Sequence, residues 1–389
     1  MSWQQVQLGD IFEIARGGSP RPIDQYITDD PNGLNWISIK DASNSSKYIY
    51  KTEKKIKPEG LHKTRLVHPD DFLLTNSMSF GRPYIMKTTG CIHDGWLVLS
   101  ADKSKVDTDY FYHLLGSDFI YRKFVGLAAG AVVKNLNTDL VKSVTVPLPP
   151  INEQRRIASI LDKADELRQK RQQAIEKLDQ LLQATFIDMF GDPVSNPKGW
   201  DKEKMDTLMT IVRGGSPRPI ENFLGGTYPW IKIGDATKGD ELFITKTKEA
   251  ITEEGLHKTR LLPEGSVIFA NCGVSLGFAR ILKIQGCIHD GWLAFQDINE
   301  EKIHKLFLLK ALNSITQYFR DTAPDGTQPN LNTGIMKSFE LIIPPMDLQL
   351  KFIKVVELIE KQKKMLETSN AEVSKLSKSL QNQAFSGNL

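Results

Sequence analysis

The stretch that decides the fold is RGGSPRPI at residues 16–23, because the same eight letters return at residues 213–220. Two glycines and two prolines do not suit the interior of a helix or strand, so each copy is a loop. Four more pairs of stretches recur in the same order, at offsets between 194 and 197 residues. They are NWISIKDAS (35–43) with PWIKIGDAT (229–237), EGLHKTRL (59–66 and 254–261), GCIHDGWL (90–97 and 286–293), and KNLNTDLVKS (134–143) with PNLNTGIMKS (329–338). A period this long indicates a duplicated domain rather than a solenoid or propeller.

Composition limits the class of protein. A chain of 389 residues suits two or three domains, and its net charge of +3 means that any nucleic-acid contact depends on where cations are placed. The three cysteines, Cys91, Cys272 and Cys287, form no CxxC pair, which predicts a reducing compartment without a disulfide framework. The first ten residues lack the pattern of a signal peptide, and no run of eighteen apolar residues occurs. We therefore expect a soluble, cytoplasmic protein.

Each half ends in a long polar helix that carries an apolar seam. Residues 151–190 contain neither Gly nor Pro, and a similar stretch follows Pro344 and Pro345. Apolar or small residues recur at steps of three and four, the spacing of a coiled coil. The seam residues are Ile157, Ile160, Ala164, Leu167, Ala174, Leu178 and Leu181, interrupted by Arg171, and Phe352, Val355, Ile359, Leu366, Val373, Leu376 and Leu380.

Two arrangements of these helices are open. Each helix could pack on its own globular domain, or the two could pair with each other. The narrow stripe and the dense charge beside it favour an antiparallel coiled coil within the chain, with an internal pseudo-two-fold axis. Between the helices, short β-type runs, Gly, Pro and Asn turns and one helical segment predict α+β domains. The expected segments are a globular domain at 1–148, a helix at 149–190, a second domain at 191–345 and a helix at 346–389.

The repeated loops carry side chains that suit nucleic acid. Glycine lets the backbone approach a ligand closely, while Arg, Ser and Asn donate to phosphate or base edges. We expect GLHKTRL to be extended, with about half of its side chains facing one groove. The alternatives are a tight turn with solvated arginines and a solvated basic strand, and the asparagines of the two NLN stretches either read adenine or cap the next element. The candidate DNA-binding residues are Arg16, Gly18, Ser19, Arg21, Lys40, His62, Lys63, Arg65, Asn76, Ser79, Arg82, Lys134, Asn135, Arg213, Gly215, Ser216, Arg218, Lys232, His257, Lys258, Arg260, Asn271, Ser275, Arg280, Gln328 and Asn330.

Catalytic patterns are missing from the sequence. His93-Asp94 and its copy at 289–290 invite a catalytic interpretation, but neighbours in an extended segment point to opposite faces and no GxSxG motif accompanies them. The chain has no P-loop, no GxGxxG before a helix, no Asn-Pro-Pro-Tyr type of methyltransferase motif and no zinc-like cysteine spacing. We therefore predict neither a catalytic residue nor a metal site, and expect the chain to bind rather than react.

Taken together and in order, these motifs resemble the specificity subunits of type I restriction-modification systems over essentially the whole chain. The resemblance is carried by the GGxP loops (17–20, 214–217), a Trp-Ile strand followed by Asp (36–41, 230–235), the GL…L.P.G stretch (255–265), and NLN before PPxxEQ at residues 149–154. Two departures are the sequence HPDD at residues 68–71, in place of the P.G turn, and Leu348-Gln349, in place of Glu-Gln.

The resemblance implies a function as well as a fold. Each globular half would be a target-recognition domain that reads one half of a bipartite DNA target, and the coiled coil would set the spacer. The partners would be two modification (methyltransferase) and two restriction (motor-nuclease) subunits, in a complex that uses S-adenosylmethionine, ATP and Mg²⁺, with no cofactor and no catalysis in this chain. Because the copies share their loops, we expect half-sites that are near inverted repeats and differ at one or two positions. A coiled-coil scaffold that binds only protein and a self-contained restriction enzyme are the alternatives.

Overall fold

The computed structural model describes residues 3–76, 81–128, 136–237, 242–323 and 330–386. The chain divides into two compact units, one formed by Met1–Gln173 with Glu367–Leu389 and the other by Ala174–Leu366. Each unit contains one globular domain and a part of each long helix. The units therefore differ from the four linear segments expected from the sequence, because parts of both helices pack in the core of each domain.

The first unit contains two five-stranded sheets and a two-stranded ribbon. Their strand orders are β3-β6-β4-β10-β7, β2-β11-β8-β9-β5 and β1-β12. The strands are β1 Gln4–Gln7, β2 Phe12–Arg16, β3 Ile27–Thr28, β4 Leu34–Ile37, β5 Tyr48–Ile49, β6 Lys54–Ile56, β7 Arg65–Val67, β8 Phe72–Thr75, β9 Pro83–Met86, β10 Gly90–Ile92, β11 Trp96–Ala101 and β12 Thr145–Leu148. The helices are α1 Ile39–Ser43, α2 Thr108–Leu115, α3 Asp118–Ala128, α4 Thr138–Lys142 and the first part of α5 Ile151–Phe190.

The second unit repeats this topology with one strand fewer, because the single strand β15 corresponds to both β3 and β4. Its sheets have the orders β17-β15-β21-β18, β14-β22-β19-β20-β16 and β13-β23. The strands are β13 Lys202–Lys204, β14 Thr210–Arg213, β15 Leu224–Ile231, β16 Phe243–Ile244, β17 Glu249–Ile251, β18 Arg260–Leu262, β19 Val267–Ala270, β20 Ala279–Leu282, β21 Gly286–Ile288, β22 Trp292–Gln296 and β23 Glu340–Ile342. The helices are α6 Met205–Leu208, α7 Ile233–Ala236, α8 Lys305–Ser314, α9 Thr316–Thr322, α10 Thr333–Ser338 and α11 Met346–Ser386. The predicted α+β class and the duplication are confirmed.

The alternation of side chains along each strand explains the layers of the first domain. Strand β11 is fully paired, with β2 on one side and β8 on the other. Its residues Leu97 and Leu99 face the helices, whereas Trp96 and Val98 face the other large sheet. Successive residues of a strand point to opposite faces, so one buried strand supplies both cores. The second domain divides its core in the same way around β22.

Within the first unit, the start of α5 runs antiparallel to the end of α11. Ile157 and Leu161 share a core cluster with Ala384 and Phe385. Nearer the middle of both helices, the Arg171 guanidinium donates a hydrogen bond of 2.8 Å to the carbonyl of Ser369. The residue that interrupts the apolar seam thus has a partner on the facing helix.

Within the second unit, the end of α5 runs antiparallel to the start of α11. The rings of Phe186 and Phe352 lie 5.4 Å apart. The Lys363 ammonium is almost buried and forms a 2.6 Å ion pair with Asp179. Segments of both helices therefore pack on a domain as well as on the other helix, and the end of α5 packs on the second domain rather than on its own.

The predicted seam is wrong at several positions. Leu167, Leu181 and Leu376 are 42%, 53% and 58% exposed. Apolar residues of α5 that are buried but absent from the predicted seam include Leu161, Ile175, Leu182, Phe186 and Phe190. A straight helix drifts away from a strict seven-residue repeat, and the globular domains cover a further face of α5 that a coiled-coil seam does not include.

Candidate nucleic-acid interface

The repeated loops of the first unit meet around Asp94. We call residues 16–21, 64–65 and 92–94 the first loop cluster, and residues 213–218, 259–260 and 288–290 the second. In the first cluster, the Ser19 hydroxyl donates to Asp94 Oδ1 at 2.8 Å and the Arg21 guanidinium donates to Oδ2 at 3.3 Å. The Arg16 Nε–H donates to the Asp94 carbonyl at 3.0 Å, and Arg65 Nε–H donates to the Arg16 carbonyl at 3.0 Å. The first loop is therefore held by the residues that follow β10.

The second loop cluster repeats these contacts around Asp290. Ser216 and Arg218 donate to its two carboxylate oxygens at 2.7 and 3.2 Å. Arg213 donates to its carbonyl at 2.8 Å, and Arg260 donates to the Arg213 carbonyl at 3.2 Å. The sequence identity of the loops thus corresponds to identical bonding in two separate domains.

Close backbone contacts explain the paired glycines. A Cβ atom on Gly17 would lie 2.2 Å from the His93 carbonyl oxygen, and one on Gly18 would lie 2.6 Å from the Lys63 carbonyl oxygen. The corresponding distances at Gly214 and Gly215 are 2.2 and 2.5 Å. The glycines therefore let this loop pack against its own domain, and their role as a close approach to a ligand stays a prediction.

The His-Asp pairs have a structural role in the loop clusters. His93 Nδ1 accepts a hydrogen bond of 2.9 Å from the Gly95 N–H, and its ring lies beside Trp36 and Trp96 at centroid distances of 6.1 and 6.0 Å. The Ser19 hydrogen bond and the Arg21 charge lower the pKa of the Asp94 carboxyl, so its charge persists well into the acid range. Burial lowers the pKa of His93, which favours the neutral ring. His289 shows the same shift for the same reason.

Several predicted DNA-binding side chains are exposed around the loop clusters. The side chains of Arg21 and Arg218 are each 79% exposed although each pairs with an Asp. His62, Lys63, Arg65 and their copies His257, Lys258 and Arg260 are exposed as well. GLHKTRL is not extended throughout, because residues 58–63 form a 3-10 helix and only residues 65–67 form a strand. Lys63 and Lys258 each lie over an aromatic ring, of Tyr26 and Phe223, rather than alternating across a strand.

The asparagines that were predicted to read bases have structural roles. Asn76 is buried and donates 2.8 Å to the Asp94 carbonyl, and Asn271 is fully buried and donates to the side chain of Asn330 and the carbonyl of Leu331. Both amides thus bond within the domain, and their predicted role in DNA binding stays a prediction. Asn137 and Asn332 cap α4 and α10, which decides the alternative left open for the second asparagine of each NLN stretch.

The other candidate residues that the structure describes form contacts outside the hydrogen-bond networks around Asp94 and Asp290. Lys40 pairs with Glu53 at 2.8 Å, and Lys232 pairs with Glu249 at 2.5 Å. The guanidinium groups of Arg82 and Arg280 lie over the rings of Tyr84 and Phe278. Ser275 ends a short 3-10 helix. Ser79, Lys134, Asn135 and Gln328 lie outside the described residues.

An open cleft adjoins each loop cluster. The cleft of the first unit has a volume of about 740 Å³ and is lined by residues 19–24, Trp36, His93 and Asp94. The cleft of the second unit has a volume of about 460 Å³ and is lined by residues 216–221, Trp230, Lys232, Glu249 and His289. Both clefts combine an almost buried tryptophan, a proline-stiffened loop and an exposed arginine.

Two buried glutamines were missed in the sequence although they hold each long helix on its domain. Gln154 Oε1 accepts from the Asp107 N–H at 2.8 Å, and its Nε2 donates to the carbonyls of Lys105 and Pro149. Gln349 makes the equivalent three bonds to His304, Lys302 and Pro344. The signal was present, because a glutamine follows the second proline by four residues in both halves. Leu348 therefore replaces only the glutamate of the PPxxEQ pattern, and the glutamine that makes the bonds is retained as Gln349.

Within the described residues, no helix is both long and apolar enough to cross a membrane. In the same part of the chain, no three His, Cys, Asp or Glu side chains are grouped as ligands for a metal ion.

The structure thus contains two α+β domains of similar topology, each with an exposed basic loop cluster and each packed on parts of both long helices. The chain belongs to the family described as the type I restriction modification DNA specificity domain, whose model matches residues 1–177 and 197–375. Its function is that of a type I restriction-modification specificity subunit, and the resemblance found in the sequence is confirmed.

Individual relatives agree with this assignment. The chain is 26% identical to the type I restriction enzyme MjaIX specificity subunit of Methanocaldococcus jannaschii, over 92% of this chain and 87% of that protein. It is 22% identical to the EcoKI specificity subunit of Escherichia coli, over 72% and 65% of the two chains. Among solved structures, a chain from a study of type I R-M complex assembly and conformational transition superposes with a TM-score of 0.67 at 16% identity, over 100% of this chain and 98% of that one. The S subunit from M. genitalium gives a TM-score of 0.54 at 16% identity, over 98% and 96%. These two structures share the fold.

Proposed function

We propose that each unit reads one half of a bipartite DNA target through its loop cluster and the adjoining cleft, and that the paired helices set the spacer between the halves. The observation that carries this proposal is the repetition of the same bonded, cation-bearing cluster on the same fold in both domains. A single cluster of this kind would be explained by stability alone, whereas two copies on two domains match a target that has two halves.

The clusters have the properties that DNA recognition requires. Arg21, Lys63 and Arg65, and their copies in the second unit, place exposed cations beside one cleft, where they suit phosphate oxygens or guanine edges. The Asp94 carboxylate fixes the Arg21 and Ser19 side chains before DNA arrives, which lowers the entropy lost on binding.

The chain would perform no chemistry itself. We assign it two modification and two restriction subunits as partners, and assign S-adenosylmethionine, ATP and Mg²⁺ to those partners, since the sequence contains neither a methyltransferase motif nor a P-loop. Because its target is DNA, the complex would work in the cytoplasm.

Methylome sequencing of a host with and without this chain tests the proposal. We expect one bipartite methylated motif to disappear when the chain is deleted. The substitutions Arg21→Ala and Arg218→Ala serve as controls for each other, because each should weaken recognition of only one half-site, and a lost phosphate contact lowers the salt slope of binding by about one. Methylation by the purified chain alone would show a self-contained enzyme, and an assembled complex without sequence preference would show a protein scaffold. Either result contradicts the proposal.

A further inference from the structure

The two clefts share a framework, and one wall of the second contains an ion pair that the first cleft lacks. Ser19, Arg21, Trp36 and His93 of the first cleft have identical counterparts in the second. The second cleft alone is also lined by a lysine and a glutamate, Lys232 and Glu249. The clefts also differ in volume and at Asp24, which corresponds to Glu221, but Lys232 and Glu249 add an ion pair to the second cleft alone. Such a difference suits two related but unequal half-sites.

Strand register shows that these positions are equivalent in the two domains. Glu249 of β17 lies opposite Trp230 of β15, and Lys54 of β6 lies opposite Trp36 of β4. Ser38 and Lys232 follow these tryptophans by two residues, and each is the N-cap residue of the next short helix. The equivalent positions therefore carry Ser38 and Lys54 in the first domain, but Lys232 and Glu249 in the second.

The chemistry of the two walls differs accordingly. In the second domain, Lys232 Nζ contacts Glu249 Oε1 at 2.5 Å, and the side chains remain 42% and 36% exposed, so donor and acceptor both reach solvent. In the first domain, Ser38 is occupied by its own helix, because its hydroxyl donates to Asp41 Oδ2 at 2.6 Å and accepts from the Asp41 N–H at 3.2 Å. Lys54 is exposed there and offers only a donor.

We propose that this wall is the specificity-determining difference between the two recognition domains. Glu249 accepts a hydrogen bond from the exocyclic amino group of a cytosine or adenine, while Lys232 holds the carboxylate and donates to a neighbouring base acceptor. At the equivalent place Lys54 donates to the acceptor edge of a guanine or thymine. The inference rests on the proposed DNA recognition and adds the residues that make the two half-sites unequal.

Two exchanges of the wall residues test this inference in the assembled complex. Lys232→Ser with Glu249→Lys gives the second domain the wall of the first, and Ser38→Lys with Lys54→Glu makes the opposite change. We expect each double variant to change one base position in the half-site of the altered domain, by about tenfold to a hundredfold in relative methylation, and to leave the other half-site unchanged. The control is Glu300→Lys with Lys305→Glu, which reverses an ion pair of similar exposure outside the cleft and should leave the motif unchanged.

A more conservative variant separates a change in base recognition from a loss of folding. Glu249→Gln keeps the shape of the side chain, so its melting temperature should stay near that of the unaltered chain while discrimination at one position falls. Unchanged motifs in all cleft variants would overturn the inference while leaving the proposed function in place. Uniform loss of methylation by Glu249→Gln at an unchanged melting temperature would also overturn it, because the residue would then contribute to binding in general. A parent complex without sequence preference would instead remove the proposed function itself.

Discussion

At the scale of single residues, the repeated loop depends on groups that the loop itself does not contain. Asp94 lies more than seventy positions from Ser19 and Arg21, yet its carboxylate fixes both side chains. The loop can approach this region because Gly17 and Gly18 have no Cβ atom to collide with carbonyl oxygens. The conformation of the loop therefore has two causes, a steric one and an electrostatic one.

The steric contribution predicts a large effect from the addition of one methyl group. Gly18→Ala should lower the free energy of unfolding by about 1–3 kcal/mol, because the new Cβ would overlap the Lys63 carbonyl and force the backbone to move. Gly126→Ala is the matched control, since nothing lies within 4 Å of its Cβ position. In helix α3 this substitution should raise the free energy of unfolding by about 1 kcal/mol, because Ala has a higher helix propensity than Gly. Chemical denaturation of the full chain measures both, and equal stabilities for the two variants would contradict the steric explanation.

The buried histidines predict a dependence of stability on pH. Burial lowers the folded pKa of His93 and of His289 below the usual 6.5, so the unfolded chain binds protons more readily in that range. The contribution of these two neutral histidines to the free energy of unfolding is fully present above about pH 6.5. It is lost as the pH falls from there towards the folded pKa values. The melting temperature should therefore drop between pH 7.5 and pH 5, and the double variant His93→Gln with His289→Gln should show a smaller drop. Identical pH profiles would contradict this explanation.

At the scale of elements, one buried glutamine near the first turn of each long helix bonds that helix to its domain, in addition to the apolar contacts of the helix. Gln154 satisfies a backbone N–H and two carbonyls near the first turn of α5, and Gln349 does the same at α11. Buried backbone groups need such partners because water cannot reach them. Together with the buried Ile157 and Leu161, the Gln154 amide holds the start of the forty-residue helix α5 on the first domain.

Removal of this amide should loosen the joint between the helix and its domain. Gln154→Leu leaves the Asp107 N–H and two carbonyls without their partner, so we expect a loss of about 3 kcal/mol in the free energy of unfolding. Gln169→Leu changes an exposed glutamine of the same helix and should alter stability by less than about 0.5 kcal/mol. Differential scanning calorimetry of the two variants makes the comparison. Equal melting temperatures would show that the buried bonds contribute little.

At the scale of the whole molecule, the duplication gives one polypeptide two recognition domains and two helix segments for each. Every unit combines segments from distant parts of the chain, so its stability includes contacts between residues about 200 positions apart, such as Arg171 with Ser369. Each long helix thus contributes residues to both units.

Lengthening both helices should lengthen the target. Seven residues added after Gln173 and seven after Leu366, where the compact units divide, extend each helix by roughly 10 Å, or about three base pairs. We expect the spacer in the methylated motif to grow by that amount while both half-sites stay the same, because the loop clusters are untouched. Methylome sequencing detects the change, and an unchanged spacer would refute the role of the helices in setting it.

The sequence by itself determined the features that depend on local chemistry and on repetition. The duplication, the α+β class and the Gly- and Pro-free helices all follow from residue order over short stretches, where propensity and spacing decide the outcome. Only the tertiary structure decided which partner each polar side chain has. Arg16, Ser19 and Asn76 looked free for DNA in the sequence, but all three bond to Asp94, and Leu167 and Leu181 are exposed although they lie in a regular apolar seam. Such choices depend on contacts between residues that are far apart in the chain, and these contacts form only when the sheets and helices pack into a domain.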